Sequence, residues 1–176
     1  MNYAILLSGG TGTRIGTEIP KQYIRAGGHM MVTYALSVLL KCQFTDAVFI
    51  VTENEWRAAI ISDARDMGLD ESKLKGYAMP GRNRQTSILS GMRKILDVNA
   101  GREEPEVIKE EDSILIHDAA RPFLTAEMLE SCYGALNNHD GVMPVIPMKD
   151  TVYLSRDGKS VSELLDREKI YAGDRK

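Results

Sequence analysis

The sequence predicts an α/β fold built on a doubly wound, mostly parallel sheet, and two patterns carry that expectation. Four short runs, residues 4–8, 47–52, 113–117 and 142–146, are rich in Val, Ile and Leu and lack polar alternation. Strands buried on both faces of a parallel sheet have this pattern. Between the runs lie segments with apolar residues at helical spacing, and helices alternating with strands bring successive strands into one sheet. The chain of 176 residues is expected to form one domain, residues 1–176, large enough to bury about 70% of its unfolded surface.

The first run ends in Ser8-Gly9-Gly10, and the first helix covers residues 30–42. Trp56, Ile60, Ala64 and Met67 mark a second helix, which Gly68 stops. Ile88, Leu89, Met92, Ile95 and Leu96 make a third. Met128, Leu129, Cys132 and Leu136 make a fourth, with Thr125 as its N-cap. Residues 99–112 hold six carboxylates (Glu103, Glu104, Glu106, Glu110, Glu111, Asp112) against two bases, and read as a solvated loop. After Pro147 the texture changes. Residues 152–154 and 160–165 read as two strands joined by an Asp157-Gly158 turn. This arm, within residues 148–170, has so little apolar content that it is expected to pack on another subunit.

Composition excludes several classes. Twenty-two basic against 25 acidic residues leave a formal charge of -3, which argues against a bulk electrostatic grip on nucleic acid or an anionic membrane. No apolar run approaches a membrane span, and no basic segment precedes the first run. Cys42 and Cys132 lie far apart in apolar helical patterns, so they are expected as free thiols in a reducing, cytoplasmic setting.

Three loops carry candidate chemistry. The first is Leu7-Ser8-Gly9-Gly10-Thr11-Gly12-Thr13-Arg14, followed by Pro20-Lys21-Gln22. Glycines at the C-terminal end of a strand let backbone N–H groups close on phosphate oxygens. A dinucleotide fingerprint fails because Ile15 stands where the third glycine is needed. A P-loop fails too: Gly158-Lys159-Ser160 has Tyr153 five positions upstream and reads as a hairpin turn. Arg14 and Lys21 supply two cations that can reach a triphosphate. The second loop, residues 80–87, sets Arg82 and Arg84 at a helix start, where free N–H groups and the dipole favour an anion. The third, His117-Asp118-Ala119-Ala120-Arg121-Pro122, ends a buried strand in a carboxylate suited to Mg²⁺ shared with phosphates. His117 reads as packed and hydrogen-bonded rather than as a ligand.

These motifs, in this order, resemble the cytidylyltransferases that act on 2-C-methyl-D-erythritol 4-phosphate or on ribitol 5-phosphate. The resemblance runs from Tyr3 to about Gly173. It implies a Rossmann-like sheet with a protruding β-hairpin dimerisation arm, CTP as cosubstrate, Mg²⁺ as metal, and release of pyrophosphate with formation of a CDP-alcohol. It further implies that Arg14 and Lys21 are catalytic and that Ser8, Gly9, Gly10, Gly12, Gly81, Ser87 and Ala119 bind the nucleotide. Asp118 would hold the metal, and Arg121, Thr151 and Arg167 the substrate, the last two donated across a homodimer by the arm. No general base is required, because the attacking phosphate is already ionised at neutral pH.

The sequence departs from the family pattern at Pro80, where a glycine is usual, and at Arg82. After Gly173 the family continues into a Gln-x-Pro motif and a segment with a second basic catalytic residue, whereas this sequence reads Asp174-Arg175-Lys176. The expectation is most of a longer enzyme. 2-C-methyl-D-erythritol 4-phosphate is the first substrate reading and ribitol 5-phosphate the alternative; a third reading is a module that binds CTP without turnover.

Overall fold

The computed structural model describes residues 1–10, 19–101 and 107–173. In chain order the elements are β1 (Asn2–Leu7), β2 (Arg25–Ala26), β3 (His29–Met30), α1 (Met31–Lys41), β4 (Ala47–Val51), α2 (Asn54–Asp66), β5 (Leu74–Ala78) and α3 (Arg84–Ala100). They continue with β6 (Ser113–Asp118), α4 (Ala126–Leu136), β7 (Ile146–Pro147), β8 (Val152–Leu154), β9 (Glu163–Leu165) and β10 (Tyr171–Ala172). The chain divides into two compact units, Met1–Ala126 and Glu127–Lys176.

In the first unit, β5, β4, β1 and β6 form a four-stranded sheet in that order, and every pair in it is parallel. The chain steps outward from β1 through β4 to β5, and α3 then carries it back to β6 on the other side of β1. The reversal puts a topological switch point between the C-terminal ends of β1 and β6, where open α/β sheets bind their ligands. Tyr3, Ile5, Leu7, Phe49, Val51 and Ile95 are the main members of the core on the α3 side. Burial of each such side chain contributes about 1.5–3 kcal/mol.

A second anchor is polar. Asp63 of α2 has no solvent-exposed side chain, yet it accepts hydrogen bonds from the Met30 N–H (2.8 Å), the Thr33 hydroxyl (2.6 Å) and Arg25 (2.7 Å). His29 Nδ1 lies 3.3 Å away. The carboxylate thereby ties the β2–β3 hairpin and the first turn of α1 to α2. Burial alone would raise its pKa; the Thr33 hydroxyl, the Met30 amide, Arg25 and His29 together hold it below the usual aspartate value.

Three expectations need correction. Residues 142–146 do not form a strand of the parallel sheet: only Ile146 and Pro147 pair, antiparallel with β10. Pro144 interrupts the run and has no N–H to give a ladder. The fourth parallel strand is instead β5, whose Lys75 and Gly76 break the apolar pattern and whose pairing slips between Val48 and Phe49. Residues 160–165 are strand only from Glu163, because Asp157 draws the Ser160 and Lys159 N–H groups into the turn (2.8 Å each). Those two bonds hold the Asp157 carboxyl well below the usual range. Asn99, expected in a loop, is a buried residue of α3 whose side-chain amide donates to Tyr3 Oη (2.8 Å); Arg102, Glu103, Glu104 and Glu106 lie outside the described residues.

In the second unit, β8 and β9 form the expected antiparallel hairpin, with Val152 opposite Leu165 and Leu154 opposite Glu163. Among the described residues no helix is long and apolar enough to cross a membrane. Both cysteines are free.

Candidate functional site

The glycine loop leaves β1 at the switch point. Ser8 N–H donates to Val51 O (2.8 Å), which closes the strand ladder, and the Ser8 hydroxyl is buried without a partner among the described residues. A buried, unpaired hydroxyl beside a ligand edge is a group left for something to bind. Gly9 explains its own identity: a Cβ there would lie 2.2 Å from Pro80 Cβ and 2.8 Å from Pro80 Cγ. The first and second candidate loops are therefore in van der Waals contact, and only glycine permits it. Gly12 and Arg14 lie outside the described residues.

Lys21, Gln22 and Tyr23 form one 3₁₀ turn. Lys21 is exposed and makes no ion pair among the described residues. Gln22 and Tyr23 turn the other way and are buried. The Gln22 side-chain amide donates to Ser8 O (2.9 Å) and Gly10 O (2.7 Å). The Tyr23 hydroxyl donates to Ser8 O (2.5 Å) and lies 2.7 Å from Thr52 Oγ1, and its ring stacks on Trp56 at a centroid distance of 4.0 Å.

The second loop is closed by its own polar groups. Asn83 caps α3, accepting the Thr86 N–H (2.9 Å) while Thr86 Oγ1 accepts the Asn83 N–H (3.0 Å). Gly81 N–H donates to Ser87 Oγ (3.0 Å), and a Cβ on Gly81 would meet Thr86 Oγ1 at 2.3 Å. Ser87 is buried and its hydroxyl proton is not consumed by the Gly81 contact.

Asp118 ends β6 in register with Leu7 of β1. Arg84 Nε lies 3.2 Å from its Oδ1, and Arg121 Nε 3.6 Å from its Oδ2. Ala119 is fully buried and its N–H donates to Leu7 O (2.9 Å), so Ala119 extends the sheet and fixes where the turn begins. His117 Nε2 donates to Arg121 O (3.0 Å), in keeping with a hydrogen-bonded role. Among the described residues no three His, Cys, Asp or Glu side chains converge on a metal position. A single carboxylate beside loops suited to phosphate fits Mg²⁺ as the hydrated, phosphate-borne ion, and not as an ion held by protein alone.

Within the second unit, Thr151 and Arg167 border one cavity of about 270 Å³ together with Leu164, Leu165, Asp166 and Glu168. Arg167 also donates to Lys149 O (3.1 Å).

Sequence reasoning brought Ser8, Gly9, Gly10, Lys21, Gly81, Ser87, Asp118, Ala119 and Arg121 to one sheet edge, and the structure sets them there. It overlooked Arg84 as the partner of Asp118, and Gln22 and Tyr23 as supports of the loop. Arg84 was read only as a cation at a helix start, and Gln22 and Tyr23 only as neighbours of Lys21.

Residues 3–174 match the model of the family described as IspD: 2-C-methyl-D-erythritol 4-phosphate cytidylyltransferase. The chain belongs to that family. A 2-C-methyl-D-erythritol 4-phosphate cytidylyltransferase of Geobacter metallireducens is 32% identical over 159 residues, covering 89% of this chain and 63% of the relative. The bifunctional ribulose 5-phosphate reductase/CDP-ribitol pyrophosphorylase Bcs1 of Haemophilus influenzae is 30% identical over 173 residues, covering 98% of this chain and 34% of the relative. The chain thus spans less than two thirds of either relative's length. In fold, it is similar to the crystal structure of 4-diphosphocytidyl-2C-methyl-D-erythritol synthase from Anaerococcus prevotii, with a TM-score of 0.75 at 20% identity, over 99% of this chain and 67% of that one. The IspD family membership and this likeness bear out the Rossmann-like α/β expectation.

Proposed function

We propose that this chain transfers a cytidylyl group from CTP to a polyol phosphate, releasing pyrophosphate, with 2-C-methyl-D-erythritol 4-phosphate as the acceptor. The observation that carries the reading is the meeting of three loops at the switch point: Gly9 against Pro80, and Arg84 against Asp118. Together they offer backbone amides, hydroxyls and cations to a triphosphate, in a family whose description names this reaction.

A phosphate oxygen of the acceptor attacks the α-phosphorus of CTP, the bond to the β-phosphate breaks, and pyrophosphate leaves. The nucleophile is already an anion, so the protein positions groups and neutralises charge. Lys21, exposed and unpaired among the described residues, faces the charge that builds on the reacting phosphate, and Arg14 shares that role. Ser8, Gly9, Gly10, Gly12, Gly81 and Ser87 hold the nucleotide, Ala119 sets the turn beside it, and Arg121 meets the acceptor phosphate. Asp118 would hold Mg²⁺, which when bound supplies Lewis-acid neutralisation of the triphosphate. The β8–β9 arm joins two copies of the chain, presenting Thr151 and Arg167 to the partner's acceptor. The free thiols suit a reducing cytoplasm.

A second acceptor, ribitol 5-phosphate, is favoured by one observation, the likeness to the Haemophilus CDP-ribitol pyrophosphorylase. The test measures pyrophosphate release from CTP and Mg²⁺ with each alcohol phosphate, using this chain and a chimera that carries the Geobacter relative's remaining residues. Release with 2-C-methyl-D-erythritol 4-phosphate is expected. Lys21→Ala should lower turnover at least ~100-fold, the effect of one lost charge-stabilising donor. Calorimetric CTP binding with no release from either protein would reduce the reading to a binding module, and absence of both would overturn it.

A further inference from the structure

We propose that Gln22 is a positioning residue that sets the direction of the glycine loop's amides, a role that rests on the cytidylyltransferase reading. Gln22 contacts no candidate ligand surface: it is 5% exposed and its side-chain nitrogen is committed to Ser8 O and Gly10 O, at 2.9 and 2.7 Å. One NH₂ group has two hydrogens, so these two bonds exhaust it as a donor.

The consequence follows from the planar trans peptide, in which the C=O of one residue and the N–H of the next point in opposite directions. Drawing the Ser8 carbonyl inward turns the Gly9 N–H outward, and the hold of the same amide on the Gly10 carbonyl fixes the far side of Gly9–Gly10. Glycine resists such fixing more than any other residue, because its backbone has the most conformations to lose. An external clamp is therefore what a loop of consecutive glycines needs if its amides are to be aimed before a phosphate arrives. The Gly9 N–H has no acceptor among the described residues, so the direction the clamp imposes on it is available to a ligand.

Tyr23 makes the clamp rigid. Its hydroxyl shares the Ser8 carbonyl with Gln22 and reaches Thr52 at the end of β4, while its ring is stacked on Trp56 of α2. Lys21, next in the same turn, is thereby referenced to the loop it works beside. A preorganised donor set does not have to reorganise when charge develops, and this is the source of most of its value.

The substitution Gln22→Glu keeps the shape and reverses the chemistry. A carboxylate cannot donate, and would face two carbonyl oxygens; the neutral acid can donate to one of them. Gln22→Met removes the donor at similar volume. With folding confirmed by thermal melts, two readouts decide the matter: CTP·Mg²⁺ affinity by calorimetry from about pH 8 to about pH 5.5, and hydrogen exchange of the Ser8 amide, bonded to Val51 O, without nucleotide. Both variants should exchange faster at this amide and bind CTP at least about tenfold more weakly than the parent at pH 8. The deficit of Gln22→Glu relative to the parent should shrink as pH falls, and that of Gln22→Met should not. Affinities within twofold of the parent, or a Gln22→Glu deficit that ignores pH, overturn the proposal. If the parent itself fails to bind CTP, the cytidylyltransferase reading falls and so does a nucleotide role for Gln22, whereas parent binding with unaffected variants sinks only the present inference.

Discussion

At Gly9 a single missing carbon decides whether two loops can meet. The Cβ of Gly9→Ala would overlap Pro80 Cβ at 2.2 Å, and the pyrrolidine ring has no rotamer by which to move aside. The loops must separate, so CTP affinity measured by calorimetry is expected to fall at least about tenfold. Pro80→Gly in the same chain removes the obstructing ring and should recover part of the loss; no recovery would mean that the contact is incidental. The same contact gives a physical account of Pro80, which departs from the family's usual glycine. At this scale the candidate residue types were legible, because phosphate chemistry demands glycines, hydroxyls and cations after a strand. The pairing of Arg84 with Asp118, 34 positions apart, was not legible, since no local spacing encodes it.

Among the elements, the helices and the central strands follow the sequence most closely, because their signals are local: apolar periodicity and a Gly68 stop. Strand membership is different. Residues 142–146 have the apolar content of an interior strand and are not one, while Leu74–Ala78 has a lysine and a glycine and is. A strand exists only where a neighbour offers ladder bonds, and Pro144 withdraws one of the donors from the first candidate. The Asp63 anchor is likewise invisible locally, since its donors come from three other elements. Asp63→Asn should cost about 2 kcal/mol at pH 7, the scale of losing hydrogen bonds to a charged group. Because the native carboxyl is held below its unfolded value, the stabilisation is fully present above about pH 4 and is lost as pH falls through the native pKa. Denaturant melts of parent and variant should therefore converge in acid and diverge toward neutrality; parallel curves would show that the carboxylate contributes no charge-dependent stability.

Over the whole molecule, the two units differ in how they hold their apolar groups. The first buries them in a sheet core, whereas the second leaves Met143, Ile146, Tyr153, Leu164 and Tyr171 more than half exposed. Of these, Tyr153 and Leu164 lie in the β8–β9 arm, where the proposed self-association would cover them. Sedimentation should show a dimer at micromolar concentration, and Tyr153→Lys with Leu164→Lys should yield monomers of unchanged melting temperature; identical sedimentation of the two proteins would remove the arm from the interface. The sequence by itself determined the α/β class, the helices, the three strands of highest apolar content and the residue types at the ligand edge, because burial pattern, capping and phosphate chemistry act over a few residues. Only the tertiary structure decided which run became the fourth strand, which carbonyls Gln22 and Tyr23 hold, and which cations meet Asp118. Those are contacts between segments far apart in the chain, and their existence depends on the sheet having already brought the partners together.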